Sequence, residues 1–359
     1  MRRVLVTGAA GYIGAHACVA LAEAGFAVVG LDNFHNSRPA TISRIDDIIG
    51  EPLPFYEMDV RDQTALERLL TREAIDAVLH FAGLKAVGES VAEPLRYYEH
   101  NVHGTISLCQ AMAKAGVYTL IFSSSATVYD AHVPSPLRED SPLAASSPYG
   151  QSKIMVEQIL ADLKAADPRW RIARLRYFNP VGAHPGGRIG EDPNGIPQNL
   201  MPYVCQVAAG RLPRLTIHGQ DYETADGTGV RDYIHVVDLV EGHIAALHYL
   251  RDHQDLLTVN LGTGQGTSVL QLVSAFERAT GQRLPVTIGP RRAGDVATCY
   301  ADAERAFSLL KWRAHLDLEA MCADAWRWTQ ARLAAHHAFS TTSDLTRSDN
   351  PPVLSSCQN

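Results

Sequence analysis

The first half of the chain alternates short runs of β-branched and aliphatic residues with longer segments of helical periodicity. Strand-like runs include "RRVLVTG", "FAVVGLD" and "DAVLHFAG", and helical segments such as "GYIGAHACVALAEAG" separate most of them. Strict alternation of strands and helices is typical of βαβ units, whose parallel strands form a sheet covered by helices on both faces. The sequence therefore predicts an α/β fold built on a doubly wound parallel sheet.

Composition excludes several classes of protein. A formal net charge of −7 gives no overall attraction to nucleic acid or to an anionic membrane surface. The longest apolar runs are far shorter than the roughly 18 residues that a membrane span needs, so no membrane insertion is expected. The six cysteines are scattered without a C-x-x-C pair, which favours reduced thiols in the cytoplasm. His100 and His103 have helical spacing but no evident third ligand, so no metal site is expected.

A glycine-rich turn follows the first predicted strand. In "VLVTGAAGYIG", Gly8, Gly11 and Gly14 lie where a strand passes into a helix, so the backbone can approach a pyrophosphate at the helix N-terminus. Asp32 ends the second strand, where a carboxylate can accept both adenosine ribose hydroxyls and repel a 2′-phosphate. The pattern predicts a Rossmann-type fold that binds NAD rather than NADP. The alternative is an ordinary glycine turn with an unrelated strand-end aspartate.

The segment "SSPYGQSK" places Tyr149 four residues before Lys153, so both side chains lie on one face of a helix. A free tyrosine has a pKa near 10, and we expect the lysine ammonium to lower it so that the phenol can accept a proton from a hydroxyl group. Ser125, in the strand-ending run "FSSSATVY", could hydrogen-bond that same hydroxyl. The alternative is an ordinary surface helix whose Tyr–Lys pair has no catalytic role.

Taken together, the motifs resemble the extended short-chain dehydrogenase/reductase family and, within it, the NAD-dependent sugar epimerases. The resemblance rests on "VLVTGAAGYIG", "HFAGLKAVGES", "SPYGQSK", "LRYFNPVGAHP", "DGTGVRDYIHV" and "NLGTG", and it covers nearly all of residues 3–330. It implies inversion at C4 of a UDP-hexose, interconverting UDP-galactose and UDP-glucose through a transient 4-keto sugar with retained NAD. It also implies a cytoplasmic homodimer.

The resemblance assigns roles to individual residues. Tyr149 is implied as the base, Lys153 as its partner and Ser125 as the contact of the sugar O4. The implied cofactor-binding residues are Gly8, Gly11, Tyr12, Ile13, Gly14, Asp32, Asn33, Asp59, Val60, Phe81, Ala82, Gly83, Lys85, Asn101, Ser125, Tyr149, Lys153 and Tyr177. The implied substrate-binding residues are Ser125, Tyr149, Phe178, Asn179, Asn199, Leu200, Thr216, His218, Arg231, Arg292, Asp295 and Cys299.

Two of these assignments have independent chemical support. Arg231 and Arg292 are cations in an acidic chain, and a guanidinium group matches a diphosphate bidentately. The alternative is that both are solvated surface arginines, and Asn179 and Asn199 could equally be turn residues.

The family resemblance also implies a role for Cys299. It stands where bacterial relatives often carry tyrosine, so we expect room for an N-acetyl group and activity on UDP-N-acetylgalactosamine as well. Alternatively, Cys299 is simply a small buried hydrophobic residue.

Two other functions share part of the pattern. A nucleotide-sugar 4,6-dehydratase would need an acid and a base directly after Ser125, where this chain has Ala126 and Thr127. A non-catalytic NAD-binding regulatory protein would keep the glycines but could lose Tyr149 or Lys153, and both are present.

The 359 residues suffice for two domains of about 150 residues each. We expect residues 1–180 to form the NAD-binding domain, with 234–267 returning to it. Residues 181–338 are expected to form a smaller mixed α/β domain for the nucleotide sugar. It begins with a long segment rich in glycine, proline and asparagine. Residues 339–359 are polar and aperiodic, which predicts a disordered tail.

Overall fold

A computed structural model describes residues 2–345 except 194 and 293, with side chains up to residue 335. In chain order the strands are β1 (Arg3–Thr7), β2 (Ala27–Asp32), β3 (Phe55–Glu57), β4 (Ala77–His80), β5 (Thr119–Ser125), β6 (Arg171–Tyr177), β7 (Asn179–Val181), β8 (Leu215–His218), β9 (Val230–Arg231), β10 (Tyr233–His235), β11 (Leu256–Leu261), β12 (Thr267–Ser268), β13 (Val286–Gly289) and β14 (Thr298–Cys299). The helices are α1 (Tyr12–Glu23), α2 (Ala40–Ile49), α3 (Gln63–Arg72), α4 (Val87–Ala92), α5 (Pro94–Tyr97), α6 (Gly104–Ala115), α7 (Pro148–Ala166), α8 (Leu200–Ala208), α9 (Val236–Asp252), α10 (Val269–Thr280), α11 (Glu304–Leu310) and α12 (Leu318–Leu345).

A seven-stranded parallel sheet forms the centre of the molecule. Its strand order is β11-β6-β5-β4-β1-β2-β3, and every neighbouring pair is parallel. The order reverses between β1 and β4, and the carboxyl ends of strands beside such a switch point are where ligands bind in open α/β sheets. The predicted Rossmann-type α/β fold is confirmed.

The central strands form where the sequence is apolar without alternation. All four residues of β4, and four of the five in β1, are buried, as expected for strands that helices cover on both faces. Two apolar clusters occupy the two faces of the sheet, one including Val6 and Leu247 and the other Leu5 and Leu108. The alternation of the first half of the chain thus produces a three-layer structure.

Smaller sheets and three helices pack beside this centre. Strands β7 and β10 pair, β8 pairs with β13, and β9 lies between β12 and β14. Helices α8, α10 and α12 share a separate apolar cluster that includes Val204, Phe276 and Cys322. Strand β11 pairs with β6 in the large sheet. The boundaries of the two expected domains stay a prediction.

The chain end differs in part from the predicted disordered tail. Residues 339–345 continue α12, and residues 346–359 lie outside the described part of the chain. Once a helix is established on a packed segment, extending it by further residues costs little, which a search for periodicity cannot show. Among the described residues, no helix combines the length and apolarity that crossing a bilayer requires.

A chain of hydrogen bonds joins the ends of β1 and β4. The Thr7 hydroxyl accepts the amide N–H of Ala82 at 3.3 Å and donates to Nδ1 of His80 at 2.7 Å. His80 Nε2 donates to the Thr105 hydroxyl at 3.0 Å, and Thr105 donates to the Asn101 carbonyl at 2.7 Å. Burial lowers the pKa of His80 and so keeps its imidazole neutral, and with Nε2 donating to Thr105 the other ring nitrogen, Nδ1, accepts.

Buried histidines make folding sensitive to acid. Burial lowers the pKa of His16 and His80 to about 3 and that of His243 to about 4. Between pH 6.5 and about 4 the unfolded chain therefore binds protons that the folded chain does not. The free energy of unfolding should fall by about 1.4 kcal/mol per histidine for each pH unit below 6.5. Urea unfolding between pH 7 and pH 5 measures this slope.

A urea midpoint that stayed constant or rose on acidification would contradict the prediction.

Candidate active site

The glycine-rich turn after β1 is packed too closely for side chains. Gly8 has a φ of +73°, and a Cβ there would lie 2.8 Å from the amide nitrogen of Ala82. A Cβ on Gly14 would lie 2.0 Å from the Gly8 carbonyl oxygen. Helix α1 begins after Gly11, and no side chain caps it within the described residues. The turn therefore offers backbone N–H groups and the positive end of a helix dipole to an anion.

Asp32 is held at the carboxyl end of β2. Its side chain is buried, and its carboxylate accepts hydrogen bonds from the N–H groups of Ala10 at 3.0 Å and Phe34 at 2.9 Å. The Ser37 hydroxyl donates to the same carboxylate at 2.8 Å. The carboxylate is thus oriented beside the glycine turn and keeps acceptor capacity for a ribose hydroxyl.

The predicted cofactor-binding residues Asn33, Asp59 and Val60 are similarly anchored. Asn33 donates to Asp59 at 3.0 Å, and Arg61 forms an ion pair with Asp59 at 2.8 Å. The hydrogen bond from Arg61 holds the pKa of Asp59 well below its ordinary value. Val60 is buried in the apolar cluster that includes Leu5 and Leu108. These four residues therefore form one fixed edge beyond β3.

Asn101 connects the loop after β4 to helix α7. Its side chain accepts from the Leu84 amide at 2.8 Å and donates to the Leu84 carbonyl at 3.0 Å. It also donates to the hydroxyl of Ser152 at 3.0 Å. The loop from Phe81 to Lys85, whose residues were predicted to line the cofactor, is consequently tied to the helix that carries Tyr149.

Helix α7 starts directly against the chain that follows β5. Ser147 caps it by accepting from the Gly150 N–H at 3.2 Å, and Pro148 occupies its first turn. A Cβ on Gly150 would lie 2.5 Å from the Thr127 carbonyl oxygen, so glycine permits this contact. The close approach brings Tyr149 within hydrogen-bonding reach of Ser125.

Lys153 lies one turn further along and is buried. Only 6% of the residue is exposed, and its Nζ donates to the Ser123 carbonyl at 2.8 Å. Burial lowers the pKa of Lys153 to about 8, opposed by the negative charge of Glu157. The structure thus brings together all three predicted catalytic residues, Ser125, Tyr149 and Lys153, at the carboxyl end of β5.

The pKa of Tyr149 shifts in the opposite direction to the one that the sequence predicted. Burial raises the pKa of Tyr149, and the hydrogen bond with Ser125 opposes that rise only in part. The predicted lowering by Lys153 is not found, because its ammonium lies 5.8 Å from the Tyr149 ring centroid and donates to the Ser123 carbonyl instead. Burial, which a short motif does not reveal, dominates here.

Glu157 fixes α7 to the sheet from the next helical turn. It forms an ion pair with Arg176 at 2.6 Å, with 3% of each side chain exposed, and accepts from the Ser124 hydroxyl at 2.5 Å. Burial acts to raise the pKa of Glu157, but the hydrogen bonds from Arg176 outweigh it and the net shift is downward. The sequence analysis did not single out Glu157 or Arg176.

The predicted substrate residues form a group around β9 and β14. Cys299 is the register partner of Arg231 in the parallel pairing of these strands. Arg231 donates to the Val296 carbonyl at 2.9 Å, and its guanidinium lies 3.6 Å from a carboxylate oxygen of Asp295. Asp295 in turn donates its amide N–H to the carbonyl of Arg292 at 3.3 Å. Arg231 therefore pairs with Asp295, whereas Arg292 is exposed and joins this group only through its backbone in the described contacts.

Cys299 is half-buried and packs with the apolar cluster that contains Tyr129 and Phe178. Asn179, which follows Phe178 in the chain, donates its backbone N–H to the Asp232 carbonyl at 2.9 Å. Tyr177 is buried at the end of β6, and its hydroxyl hydrogen-bonds Nε2 of His243.

Asp232 organises this region although the sequence analysis missed it. Its carboxylate is fully buried and accepts from the N–H of Thr263 at 2.8 Å, its hydroxyl at 2.6 Å, Gly264 N–H at 3.0 Å and Ala301 N–H at 3.1 Å. One carboxylate thereby joins the ends of β9, β11 and β14. The acid inside the quoted motif "VRDYIHV" was the available signal.

The remaining predicted residues lie on other elements. Thr216 and His218 are half-buried on β8, where the Thr216 hydroxyl is 3.4 Å from that of Thr287. Leu200 begins α8, and Asn199 precedes it. These contacts alone do not join β8 to the β9–β14 cluster.

Tyr12 and Lys85 contact the segment between β7 and α8 rather than the sheet. The Tyr12 hydroxyl donates to the Gly182 carbonyl at 2.8 Å, and Lys85 forms an ion pair with Glu191 at 2.9 Å. Ile13 and Gly14 lie in the first turn of α1. Glu191 is a further residue that the sequence analysis did not identify.

The fold and the site together define a class of enzyme. A glycine turn with an uncapped helix, an oriented Asp32 and a Ser–Tyr–Lys group at one sheet edge suit a dinucleotide and an alcohol substrate.

Comparison with known proteins agrees with this class. The NAD dependent epimerase/dehydratase family matches residues 4–262. The UDP-glucose 4-epimerase of Bacillus subtilis is 56% identical over 330 residues, which are 92% of this chain and 97% of that protein. The Mus musculus UDP-glucose 4-epimerase is 53% identical over 335 residues, covering 91% and 96% respectively. The chain belongs to the NAD dependent epimerase/dehydratase family.

Solved structures lead to the same conclusion. A UDP-glucose-4-epimerase from Stenotrophomonas maltophila, with bound NAD and formylated UDP-arabinopyranose, has a TM-score of 0.92 at 52% identity and covers 93% of this chain and 100% of its own. The Bifidobacterium longum UDP-glucose 4-epimerase, in complex with NAD+ and UDP, has a TM-score of 0.89 at 49% identity, covering 92% and 99%. The predicted family resemblance and the prediction of NAD as cofactor are confirmed.

Removing Glu157 should weaken the attachment of helix α7 to the sheet. Glu157→Ala leaves Arg176 buried without its partner, and we expect the free energy of unfolding to fall by about 3–5 kcal/mol. Urea unfolding measures this loss.

Glu319→Ala is the matched control, because Glu319 pairs with Arg278 at a similar 2.8 Å but with both side chains about half exposed. It should cost less than about 1 kcal/mol. Equal losses in the two variants would show that the buried ion pair does not anchor α7.

Proposed function

We propose that this chain interconverts UDP-galactose and UDP-glucose by inverting C4 of the hexose with NAD retained in the site. The observation that carries the proposal is the Ser125–Tyr149 pair next to the buried ammonium of Lys153, at the carboxyl end of β5. Relatives that are about half identical to this chain over nine tenths of its length are named UDP-glucose 4-epimerases. Their names support UDP-galactose and UDP-glucose as the substrates.

Retention of NAD is supported by the shape of the glycine turn. A Cβ at Gly8 would collide with the backbone of Ala82, and one at Gly14 with the Gly8 carbonyl, so only glycines allow the tight turn on whose backbone the pyrophosphate is proposed to rest. Asp32 is proposed to hold the adenosine ribose, and Lys153 the nicotinamide ribose through its remaining N–H groups. When bound, NAD supplies the acceptor that takes hydride from C4 and returns it, and its positive ring favours the Tyr149 phenolate.

The chain's own groups manage the proton on O4. Ser125 Oγ accepts two hydrogen bonds from Thr127, from its N–H at 3.2 Å and its hydroxyl at 3.0 Å. Its own hydroxyl proton is therefore directed elsewhere, towards Tyr149 or the sugar O4. We propose that Tyr149 removes the O4 proton as the 4-keto sugar forms and returns it when the alcohol is restored. The ammonium of Lys153, 5.8 Å from the Tyr149 ring centroid, adds positive charge to the same end of the site.

Inversion requires that the sugar turn while the nucleotide stays bound. Arg231 and Arg292 are proposed to grip the diphosphate, with Asn199 and Leu200 at the start of α8 completing the nucleotide side. Phe178, Asn179 and Cys299 are proposed to border the sugar. The latter three carry no charge, so the 4-keto sugar can present either face.

The first test uses the purified chain with UDP-galactose and no added cofactor. We expect UDP-glucose to form and NAD to be recovered after denaturation. Tyr149→Phe should lower kcat by about 10²–10⁴ with NAD content unchanged, because only the proton acceptor is lost. Nuclear magnetic resonance of the sugar products, together with chromatography of the released nucleotide, measures both.

Other outcomes would identify other functions. A 4-keto-6-deoxy product would indicate a 4,6-dehydratase, and bound NAD without turnover would indicate a non-catalytic protein. Full activity in Tyr149→Phe would contradict the assigned base.

We further propose that Cys299 admits the N-acetylated pair, UDP-N-acetylgalactosamine and UDP-N-acetylglucosamine. Its thiol is half-buried beside Phe178, where a phenol would occupy the space of an acetyl group. Wild type should turn over both pairs, and Cys299→Tyr should keep the plain sugars but lose the acetylated pair by at least tenfold.

Cys299→Ser is the control and should behave as wild type, since its side chain is equally small. If wild type gave no turnover of UDP-N-acetylgalactosamine, Cys299 would be only a packed hydrophobic residue.

We also propose a homodimer in the cytoplasm. Val91, Leu95 and Met155 are 64%, 81% and 39% exposed on α4, α5 and α7, which pack against one another. Exposed apolar side chains on helices that pack together favour a protein partner, and the family resemblance suggests a second copy. Free thiols at the five described cysteines agree with a reducing compartment.

A further inference from the structure

One carboxylate oxygen joins two residues that the proposed function assigns to different ligands. Oε1 of Glu191 accepts from Nζ of Lys85 at 2.9 Å and from the side-chain amide of Asn199 at 2.8 Å. Lys85 follows β4 on the cofactor side, and Asn199 precedes α8 on the nucleotide-sugar side. A carboxylate oxygen has two lone pairs, and here each has a donor.

Contacts with the backbone at and just before Glu191 fix its position. Trp328 Nε1 donates to the Glu191 carbonyl at 3.1 Å. A Cβ on Gly190 would lie 2.5 Å from Cδ1 of Trp328, so the backbone rests directly on the indole ring. His184 donates its amide to the Ile189 carbonyl at 3.0 Å, which closes the turn before Glu191. These contacts hold the backbone of Glu191, while its side chain, 10% exposed, reaches the half-exposed side chain of Lys85.

The next residue makes a separate pair of contacts. Asp192 forms ion pairs with Arg332 of α12 at 2.6 Å and with Arg38, in the loop after β2, at 3.3 Å. It touches neither Lys85 nor Asn199 in the described hydrogen bonds and ion pairs. Asp192 therefore anchors the same segment through other partners, which makes it a matched control.

We propose that Glu191 is a positioning residue that couples occupation of the nucleotide-sugar site to retention of NAD. The proposal rests on the function proposed above and adds a residue to it. A nucleotide sugar that orders Asn199 also orders the shared carboxylate, so less entropy remains to be lost when Lys85 is held over the cofactor. The coupling is positive, and each ligand strengthens the binding of the other.

The test measures NAD release from the loaded wild-type protein, with UDP as the probe. Released NAD is trapped by an NAD-specific dehydrogenase and followed by the absorbance of the NADH formed. We expect saturating UDP to slow the release at least about fivefold, the lower end of measured couplings between sites.

Variants separate coupling from simple loosening of the segment. In Glu191→Ala, UDP should change the release rate less than twofold, whereas Glu191→Gln, which keeps an acceptor oxygen, should lie between that and wild type. Asp192→Ala should retain the full effect of UDP. Equal loss of the UDP effect in Glu191→Ala and Asp192→Ala would overturn the proposal, because segment stability alone would then explain it.

Failure of this inference can be told from failure of the proposed function. A wild-type protein that epimerises UDP-galactose, yet releases NAD at the same rate with and without UDP, overturns the role of Glu191 alone. A wild-type protein that binds neither NAD nor UDP overturns both.

Discussion

The buried ammonium of Lys153 is the constraint on which the site depends. A cation removed from water costs free energy unless it is hydrogen-bonded, and the Ser123 carbonyl 2.8 Å away meets part of that need. The ring of Phe122, with its centroid 4.9 Å from Nζ, provides a favourable face. Because the ammonium must stay at the carboxyl end of β5, Tyr149 one turn earlier is held beside Ser125.

Surrounding polar groups keep this helix in register with the glycine turn. Glu157 binds α7 to the sheet, while Asn101 ties the same helix, through Ser152, to the loop after β4. That loop is joined to Thr7 and His80 by further hydrogen bonds. Buried networks of this kind are costly when incomplete and specify one geometry when complete. The proposed cofactor and base are thus held by one connected framework.

The sequence revealed local chemistry better than long-range partnership. The strand–helix alternation, the glycine turn and the Tyr149–Lys153 pair are local patterns, and the fold, family and cofactor drawn from them are confirmed. Glu191 and Asp232 were missed because their partners lie far away in sequence, as with Lys85, 106 residues from Glu191. No periodicity in a single chain encodes such contacts.

Burial was the other quantity that the sequence could not supply. A Tyr–Lys pair at helical spacing suggests a lowered pKa for Tyr149, but its magnitude depends on where the lysine points and how far the phenol is desolvated. The structure shows the ammonium turned to the Ser123 carbonyl, so burial decides the direction of the shift. The helical residues 339–345 were missed for a related reason, because packing upstream supports the helix.

The account is tested most directly by following the hydrogen atom at C4 through the reaction. UDP-galactose carrying deuterium at C4 would be incubated with the purified protein in ordinary water, without added cofactor. If Tyr149 handles only the O4 proton while a captive cofactor holds the hydride, the UDP-glucose formed keeps its deuterium at C4. Replacement of that deuterium by solvent hydrogen would mean that C4 itself exchanges protons with water, which contradicts the account.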